Sequence, residues 1–352
     1  MSKKALKRFL AYAAAIGVTG AAIGSDVATE TVNGIVWTYT VSNGVASVGD
    51  GGDYTGVPMS TPGQIVVPSK LGGYPVTSIG AFAFSGCSRI TSVTIPSGVT
   101  NIGRLAFWDC KGLKNVTIPN GVTSIEVGTF SECGLTSVTI PNSVKVIGIS
   151  AFKDCSDLKS VTMGDGVTSI GSEAFRNCIG LASVTIGGGV TNIGSEAFYN
   201  CNGLKKLTIP SRVTTIGQYA FFGCSMLKSV TIPDSVKSIG SHAFEGCSGL
   251  ASVKIGDGVA NIENWTFYGC SSLANVTIGN GVTRIGWYAF YGCSGLTSVT
   301  MPDSVAYIGG RAFEGCHALT SMTIGEGVTN FVYNAVPSHV KVTTRRRKTC
   351  GR

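Results

Sequence analysis

Cysteine is the residue type in this sequence whose spacing could support chemistry. Eleven cysteines recur in steps of 23 residues, with a single step of 22 between Cys133 and Cys155. They are Cys87, Cys110, Cys133, Cys155, Cys178, Cys201, Cys224, Cys247, Cys270, Cys293 and Cys316. A thiol can serve as a nucleophile, a metal ligand or half of a disulfide, so the rest of the chain has to decide between these roles.

The regular repetition argues against catalysis and metal binding. A catalytic thiolate needs a base beside it, and the chain has only three histidines, His242, His317 and His339, at unrelated places. The paired C-x-x-C or C-x-x-H spacings typical of zinc sites do not occur, and neither do the nucleotide-binding or hydrolase motifs. We therefore predict a protein that is not an enzyme, with no catalytic residue, no metal ligand and no cofactor.

Two interpretations of the cysteine series remain. Equivalent residues of neighbouring repeats would lie about 5 Å apart, which is within the Cα distance of a disulfide. However, the number is odd and all places are identical, which favours small buried thiols that donate to loop carbonyls. We predict this buried, reduced series, called here the cysteine ladder, and keep a few disulfides as the alternative.

The cysteine spacing marks a repeat that reads Leu-x-x-Val-x-Ile-Pro-x-x-Val-x-x-Ile-Gly-x-x-Ala-Phe-x-x-Cys. The alternation in its first part predicts a strand that ends at Pro or Gly. A second extended piece follows, with glycine at the corner. Ala-Phe-x-x-Cys is compatible with one helical or 3-10 turn, whose phenylalanine is present in all eleven repeats. A period in the twenties predicts a solenoid, in which each coil packs on its neighbours.

A single coil of this kind cannot be stable alone. It can bury six large apolar side chains, which contribute roughly 1.5–3 kcal/mol each. Ordering its residues costs at least about 1 kcal/mol apiece, so the cost exceeds the gain unless coils stack.

The repeat resembles the BspA-like, or Treponema pallidum type, leucine-rich repeats over roughly residues 65–331. The resemblance implies a right-handed leucine-rich-repeat solenoid with parallel strands on one face. It also implies secreted or surface-exposed proteins that bind host matrix or other cells. Departures are local: Glu126 and Glu263 replace the corner glycine, and Ile90 replaces the first leucine.

Four segments follow from this division of the chain. Residues 1–24 combine basic residues with a short apolar run and read as a bacterial secretory signal peptide. Residues 25–64, with the alternating strands VNGIVWTYTV and NGVASV, read as an N-terminal cap. Coils occupy 65–331, and residues 332–352 hold a terminal strand and a basic tail. We expect no membrane span beyond the signal peptide.

The charge of +8 does not indicate a nucleic-acid partner. Nine of the 27 basic side chains lie in the first and last eight residues, which leaves 18 basic against 19 acidic side chains between them. No basic stripe is visible in the sequence, so we expect no nucleic-acid partner.

Outward positions must carry the function of such a scaffold. One row of the first strand is almost entirely threonine and is called here the Thr row: Thr94, Thr117, Thr139, Thr162, Thr185, Thr208, Thr231, Lys254, Thr277, Thr300 and Thr323. Two residues earlier lies the Ser row: Ser92, Asn115, Ser137, Ser160, Ser183, Lys206, Ser229, Ser252, Asn275, Ser298 and Ser321. The rows are either a solvated sheet or a hydroxyl array for ice, glycan or mineral.

Aromatic residues collect at less regular places before the cysteines, and Trp108 is an early example. Those of the later coils are predicted to form an aromatic ridge on one face, since residues three apart in a helical turn are neighbours. The ridge comprises Tyr199, Tyr219, Phe222, Trp265, Tyr268, Trp287, Tyr288 and Tyr291. The alternative is that these rings only pack against neighbouring coils.

We therefore predict a secreted or cell-surface scaffold for adhesion, which binds a protein or glycan on a host, a matrix or a neighbouring cell. The alternative is a structural component of an envelope or extracellular matrix that associates with itself. The oligomeric state does not follow from the sequence.

Overall fold

A computed structural model describes residues 27–49 and 55–345 of the chain. The signal-peptide prediction for residues 1–24 and most of the basic tail lie outside the described residues. No helix long and apolar enough for a bilayer occurs in the part of the chain that is described.

The predicted solenoid of parallel strands is confirmed, with two short strands in most coils. In the described residues the strands are β1 Val27–Val32, β2 Ile35–Ser42, β3 Val45–Val48, β4 Gly63–Val66, β5 Lys70–Leu71, β6 Tyr74–Ile79, β7 Ile90–Thr94, β8 Asn101–Ile102, β9 Asn115–Val116, β10 Ser124–Ile125, β11 Ser137–Ile140, β12 Val146–Ile147, β13 Ser160–Met163, β14 Ser169–Ile170, β15 Ser183–Thr185, β16 Asn192–Ile193, β17 Thr215–Ile216, β18 Ser229–Ile232, β19 Ser238–Ile239, β20 Ser252–Ile255, β21 Asn261–Ile262, β22 Asn275–Thr277, β23 Arg284–Ile285, β24 Ser298–Thr300, β25 Tyr307–Ile308, β26 Ser321–Ile324, β27 Asn330–Phe331 and β28 Lys341–Thr344.

The apolar positions of the repeat form one continuous core. Leu, Val, Ile, Ala, Phe and Cys at these places are buried in nearly every coil. The eleven phenylalanines from Phe84 to Phe313 form a single column of stacked rings, with neighbouring centroids 4.9–5.5 Å apart. Because every ring packs on the coils before and after it, burial is complete only within the stack.

The segment around Ala-Phe-x-x-Cys is a chain of turns without a helix in the described coils, and its local bonds run from residue i to residue i−3, as in a single 3-10 turn. Its backbone N–H groups alternate between a local acceptor three residues back and an acceptor in the next coil. Phe198 N donates to Ala220 O at 2.8 Å, while Cys201 N donates to Phe198 O at 3.2 Å. Half of the bonds of each turn thereby join two coils, which a helix does not permit.

Two residues with positive φ, in the left-handed region, make this alternation possible in each turn. One lies directly before the cysteine and is often glycine, as at Gly223 with φ +70°. The other lies five places before the cysteine and is rarely glycine. It is Phe82, Leu105, Gly128, Ser150, Glu173, Glu196, Tyr219, His242, Trp265, Tyr288 or Arg311, with φ between 54° and 62°.

The corner glycine is needed because of crowding. Gly194 lies so close to the preceding coil that an added Cβ would come 2.6 Å from backbone atoms of Gly171 and Ser172. In most coils the corner N–H donates to the isoleucine carbonyl of the previous coil, as Gly194 N does to Ile170 O at 2.8 Å. A side chain at this place crowds the preceding coil. The last coil has a valine there, and Val332 N still donates to Ile308 O at 3.1 Å.

The two coils with a glutamate at the corner are the places where the second-strand sheet is interrupted. The sheets are β3, β6 and β8, then β10 to β19, then β21 to β27, and each break lies at Glu126 or Glu263. Within the described residues, neither glutamate N–H makes the corner bond. Thr129 and Thr266 replace the following alanine there, and each hydroxyl donates to the glutamate carbonyl, at 2.9 and 2.7 Å.

The N-terminal strands differ from the prediction in one detail. VNGIVWTYTV is not a single strand, because Asn33 and Gly34, both with positive φ, make the hairpin turn between β1 and β2. Asn-Gly is the residue pair that such two-residue turns favour. Strand β3 follows antiparallel to β2 and then pairs in parallel with β6, so the meander lies beside the first coil.

Candidate binding surface

The cysteine ladder lies inside the coils. All eleven thiols are buried and unpaired in the described chain. From Cys110 to Cys316, each Sγ–H donates to the phenylalanine carbonyl of the preceding coil at 3.0–3.4 Å. Burial raises the pKa of the Cys247 thiol to about 12 and raises the Cys293 pKa well above its usual value. Such thiols keep their protons at neutral pH, so they are poor nucleophiles.

The aromatic ridge lies on the outer side of the turns, in two neighbouring columns. The first column consists of residues with positive φ five places before a cysteine. It holds Tyr219, Trp265 and Tyr288, whose rings are half-buried. Trp265 and Tyr288 stack with centroids 5.5 Å apart. The turn geometry places side chains three residues apart side by side even without a helix, as for Tyr219 and Phe222 at 5.9 Å.

His242 completes the first column, and the sequence analysis missed it. Its ring stacks on Tyr219 at 4.4 Å and on Trp265 at 4.8 Å, and its Nδ1 contacts the carboxylate of Glu245. The signal was available, because His242 stands five places before Cys247, as the other members of the column stand before their cysteines. Arg311 extends the column, with its guanidinium 5.8 Å from the Tyr288 ring centre.

The second column is made of pairs. Tyr199 stacks on Phe222 at 4.6 Å, and the Arg176 guanidinium covers the other side of the Tyr199 ring at 4.2 Å. Tyr268 stacks on Tyr291 at 4.9 Å. Most ring faces in both columns are therefore covered by a neighbour along the stack, and the ring edges and hydroxyl groups are what the surface presents.

Two tryptophans have separate surroundings. Trp287 is 42 % exposed, and its Nε1 donates to the hydroxyl of Tyr307 at 3.0 Å. Trp108 occupies a ridge-equivalent place in an early coil, but it is buried with Phe82 and Leu105 in a small cluster of its own. In the first two coils, aliphatic and aromatic packing therefore fills positions that the later coils leave accessible.

A shallow cleft of about 380 Å³ opens at the start of the ridge. Its lining combines aromatic rings with an acid–base set: Arg176, Glu196, Tyr199, Tyr219, Phe222, His242 and Glu245. Arg176 forms an ion pair with Glu196 at its edge. The cleft thus offers ring edges, hydroxyl groups and both signs of charge to a ligand. No group of three or more His, Cys, Asp or Glu side chains that could hold a metal occurs among the described residues.

The strand face is polar and regular. The Thr row is exposed apart from the half-buried Thr323, and neighbouring members pair directly, as Thr139 does with Thr162. The first strands form four short sheets, β4–β7–β9, β11–β13–β15, β18–β20–β22 and β24–β26–β28.

Comparison with known proteins gives one family. The profile described as "BspA type Leucine rich repeat region (6 copies)" matches residues 77–205, 145–270 and 215–342. No curated protein matches the chain.

Several solved structures are similar. A leucine-rich repeat protein from Bacteroides ovatus is 24 % identical, with a TM-score of 0.53 over 93 % of this chain and 100 % of that chain. The pneumococcal vaccine antigen PcpA is 20 % identical, with a TM-score of 0.51 over 91 % of this chain and 94 % of that chain. A leucine rich cell surface protein from Faecalibacterium prausnitzii is 25 % identical, with a TM-score of 0.49 over 93 % and 97 % of the two chains. The first two likenesses support the fold described above.

Proposed function

Because this chain belongs to the BspA-type leucine-rich-repeat family, we propose that it is a secreted or cell-surface adhesion scaffold. Its partner is a protein or glycan of a host, a matrix or a neighbouring cell, bound through the aromatic ridge. The observation that carries the proposal is the paired columns of half-buried rings between Tyr199 and Tyr291. Aromatic side chains dominate the energetics of protein interfaces.

The stacked arrangement favours recognition through ring edges. In the first column His242 and Trp265 are held by rings on both sides and Tyr288 lies between Trp265 and a guanidinium, so these side chains lose little entropy when a partner binds. Ring edges carry partial positive charge and pack well against the ring faces of another molecule. Tyrosine hydroxyl groups add hydrogen bonds at the rim, which suits a protein loop or a sugar.

The test replaces Tyr268, Tyr288 and Tyr291 by serine in the full chain. Binding to immobilised matrix proteins and to whole cells is expected to fall about tenfold or more, because three adjacent contact residues are removed. The matched control replaces three large side chains outside the ridge, Tyr74, Phe331 and Tyr333, which are 43 %, 43 % and 87 % exposed. Unchanged binding by a folded ridge variant would refute the proposal.

The second candidate function, a self-associating envelope or matrix component, rests on the last coil. In the described residues β27 and β28 pair on one side only, and Phe331 and Tyr333 are exposed beside them. Unpaired strand edges favour association with another chain. Sedimentation of the same two variants separates the candidates, because loss of assembly in the Phe331/Tyr333 variant with unchanged partner binding would support this second function.

A further inference from the structure

Four lysines form a cationic patch on the strand face, outside the residues of the aromatic ridge. Lys205 and Lys206 lie in one coil, Lys228 in the next, and Lys254 in the one after. Backbone contacts link these coils: Lys228 N donates to the Lys205 carbonyl at 3.4 Å, and Lys254 pairs with Thr231 of the Lys228 coil. Neighbouring strands are about 4.8 Å apart, so the four ammonium groups share one continuous surface.

All four side chains are exposed, and none pairs with a carboxylate in the part of the chain that the structure describes. The nearest acids in the sequence lie in the loops after the strands. There Asp234 accepts the N–H of Asp257 at 2.9 Å, so its carboxylate already serves the loop. Although the body of the chain is neutral overall, the fold gathers local positive charge that the linear sequence did not reveal.

The surroundings of the patch favour one class of anion. Ser and Thr side chains of the two outward rows surround the lysines and supply hydroxyl donors and acceptors. No aromatic side chain stands in the Ser row or the Thr row. Proteins that bind single-stranded nucleic acid stack its bases on aromatic rings, so this surface lacks what bases require. A polymer with sulfate or carboxylate groups and hydroxyl groups matches what the surface offers.

We propose that the strand face between Lys205 and Lys254 binds a linear acidic polysaccharide through its sulfate or carboxylate groups. The site differs in residues and ligand contacts from the aromatic ridge, so it stands whether or not the ridge binds a partner. The attraction is electrostatic and solvent-exposed, and salt must weaken it.

The experiment measures binding of the full chain to heparin, to hyaluronan and to neutral dextran. One variant restores the prevailing residues of the repeat with Lys206→Ser and Lys254→Thr, and a second adds Lys205→Ala and Lys228→Ala. Because these residues occupy the same places in other coils, the variants should fold. The matched control is Lys145→Thr with Lys237→Thr, which removes two exposed charges at another row where threonine prevails.

The four-residue variant is expected to lose about tenfold or more in heparin affinity, and the two-residue patch variant about threefold. The control should change affinity less than about twofold, and raising NaCl from about 50 to about 200 mM should weaken binding of the parent. Equal losses in patch and control variants, or binding to dextran as tight as to heparin, would overturn the proposal. The proposal would also be overturned if DNA or RNA bound more tightly than heparin and the same patch variants abolished that binding. The ridge variant with serine at 268, 288 and 291 should keep heparin binding, which separates the two sites.

Discussion

At the scale of single residues, each cysteine connects two coils through one carbonyl. The Phe175 carbonyl accepts the N–H of Cys178 from its own coil and the Sγ–H of Cys201 from the next, both at 3.2 Å. Removing the thiol leaves the carbonyl with one partner. The fold then loses one weak hydrogen bond and gains a small cavity. Steric fit and a modest hydrogen bond, not reactivity, explain why cysteine suits this place.

Cys201→Ala is expected to lower the free energy of unfolding by about 1–2 kcal/mol, because it removes one hydrogen bond and leaves a cavity of one sulfur atom. Urea unfolding followed by circular dichroism measures the change. Cys201→Ser keeps a donor in the same position and should cost less than alanine. If Cys201→Ser lowers the free energy of unfolding more than Cys201→Ala does, the thiol stabilises the fold by its volume and not by its hydrogen bond.

The position with positive φ shows why part of the candidate binding surface was hidden from the sequence. Tyr219, Trp265 and Tyr288 have φ of 55–57°, which costs a non-glycine residue roughly 1–2 kcal/mol. The residue type at this place varies from leucine and serine to glutamate, tyrosine and arginine, and glycine occurs there in one of the eleven repeats, at Gly128, so no consistent glycine or asparagine signal marks the backbone. The spacing predicted which rings share a face, but not the backbone that holds them there or the inclusion of His242.

At the scale of the secondary-structure elements, the two interruptions of the second-strand sheet coincide with the glutamate corners, whereas the sheet continues at Val332. Glu126 and Glu263 were recognisable in the sequence as departures from the repeat, but their effect reaches beyond one coil. A glutamate Cβ cannot approach the preceding coil as closely as glycine does, and the strand pairing stops at both places. The interruption depends on a contact between coils, which one repeat read alone does not contain.

The double variant Glu263→Gly and Thr266→Ala should join β19 to β21. The regained bond from residue 263 N–H to the Ile239 carbonyl is expected to add about 0.5–1.5 kcal/mol to the free energy of unfolding. Amide hydrogen exchange at residue 263 reports it directly, because the proton should become protected. Thr266→Ala alone is the control and should leave exchange fast. Unchanged exchange in the double variant would show that another feature causes the break.

At the scale of the whole molecule, the fold could be predicted because every coil repeats the same solution. Eleven copies of one pattern predict the period, the column of phenylalanines and the need for coils to stack. A departure in one copy does not hide the pattern. The lysine patch could not be predicted in this way. Lys205, Lys206, Lys228 and Lys254 are spread over 50 residues, and only the register of the coils brings them together.

The buried thiols make the stability of the whole stack sensitive to alkaline pH. Burial raises the pKa of ten ladder thiols above the unfolded value of about 8.5, for example to about 12 at Cys155 and Cys316. Above pH 8.5 the unfolded chain loses these protons while the folded chain keeps them. The contribution is therefore fully present below pH 8.5 and is lost as pH rises toward 12.

Between pH 8 and pH 9.5 each such thiol should lower the free energy of unfolding by roughly 1.2 kcal/mol. Urea unfolding midpoints measured under reducing conditions should fall steeply over this interval. A variant with alanine at 201, 224 and 247 should be less stable at pH 8. Its unfolding midpoint should fall less with rising pH, because it lacks the contribution of three of the ten thiols. If the unfolding midpoints of the parent and the variant fell equally with pH, the buried thiols would not be the cause of the decline.

The interruptions at Glu126 and Glu263 also determine how the chain responds to mechanical force. Backbone bonds between coils run along the stacking axis, so a pull on the two ends loads all the joints in series. Each of the two glutamate joints lacks the corner bond seen elsewhere in the described residues. Extension is therefore expected to begin at two fixed positions and to leave three shorter stacks intact. A stack interrupted in this way is expected to lengthen in stages and to absorb work before it unfolds completely.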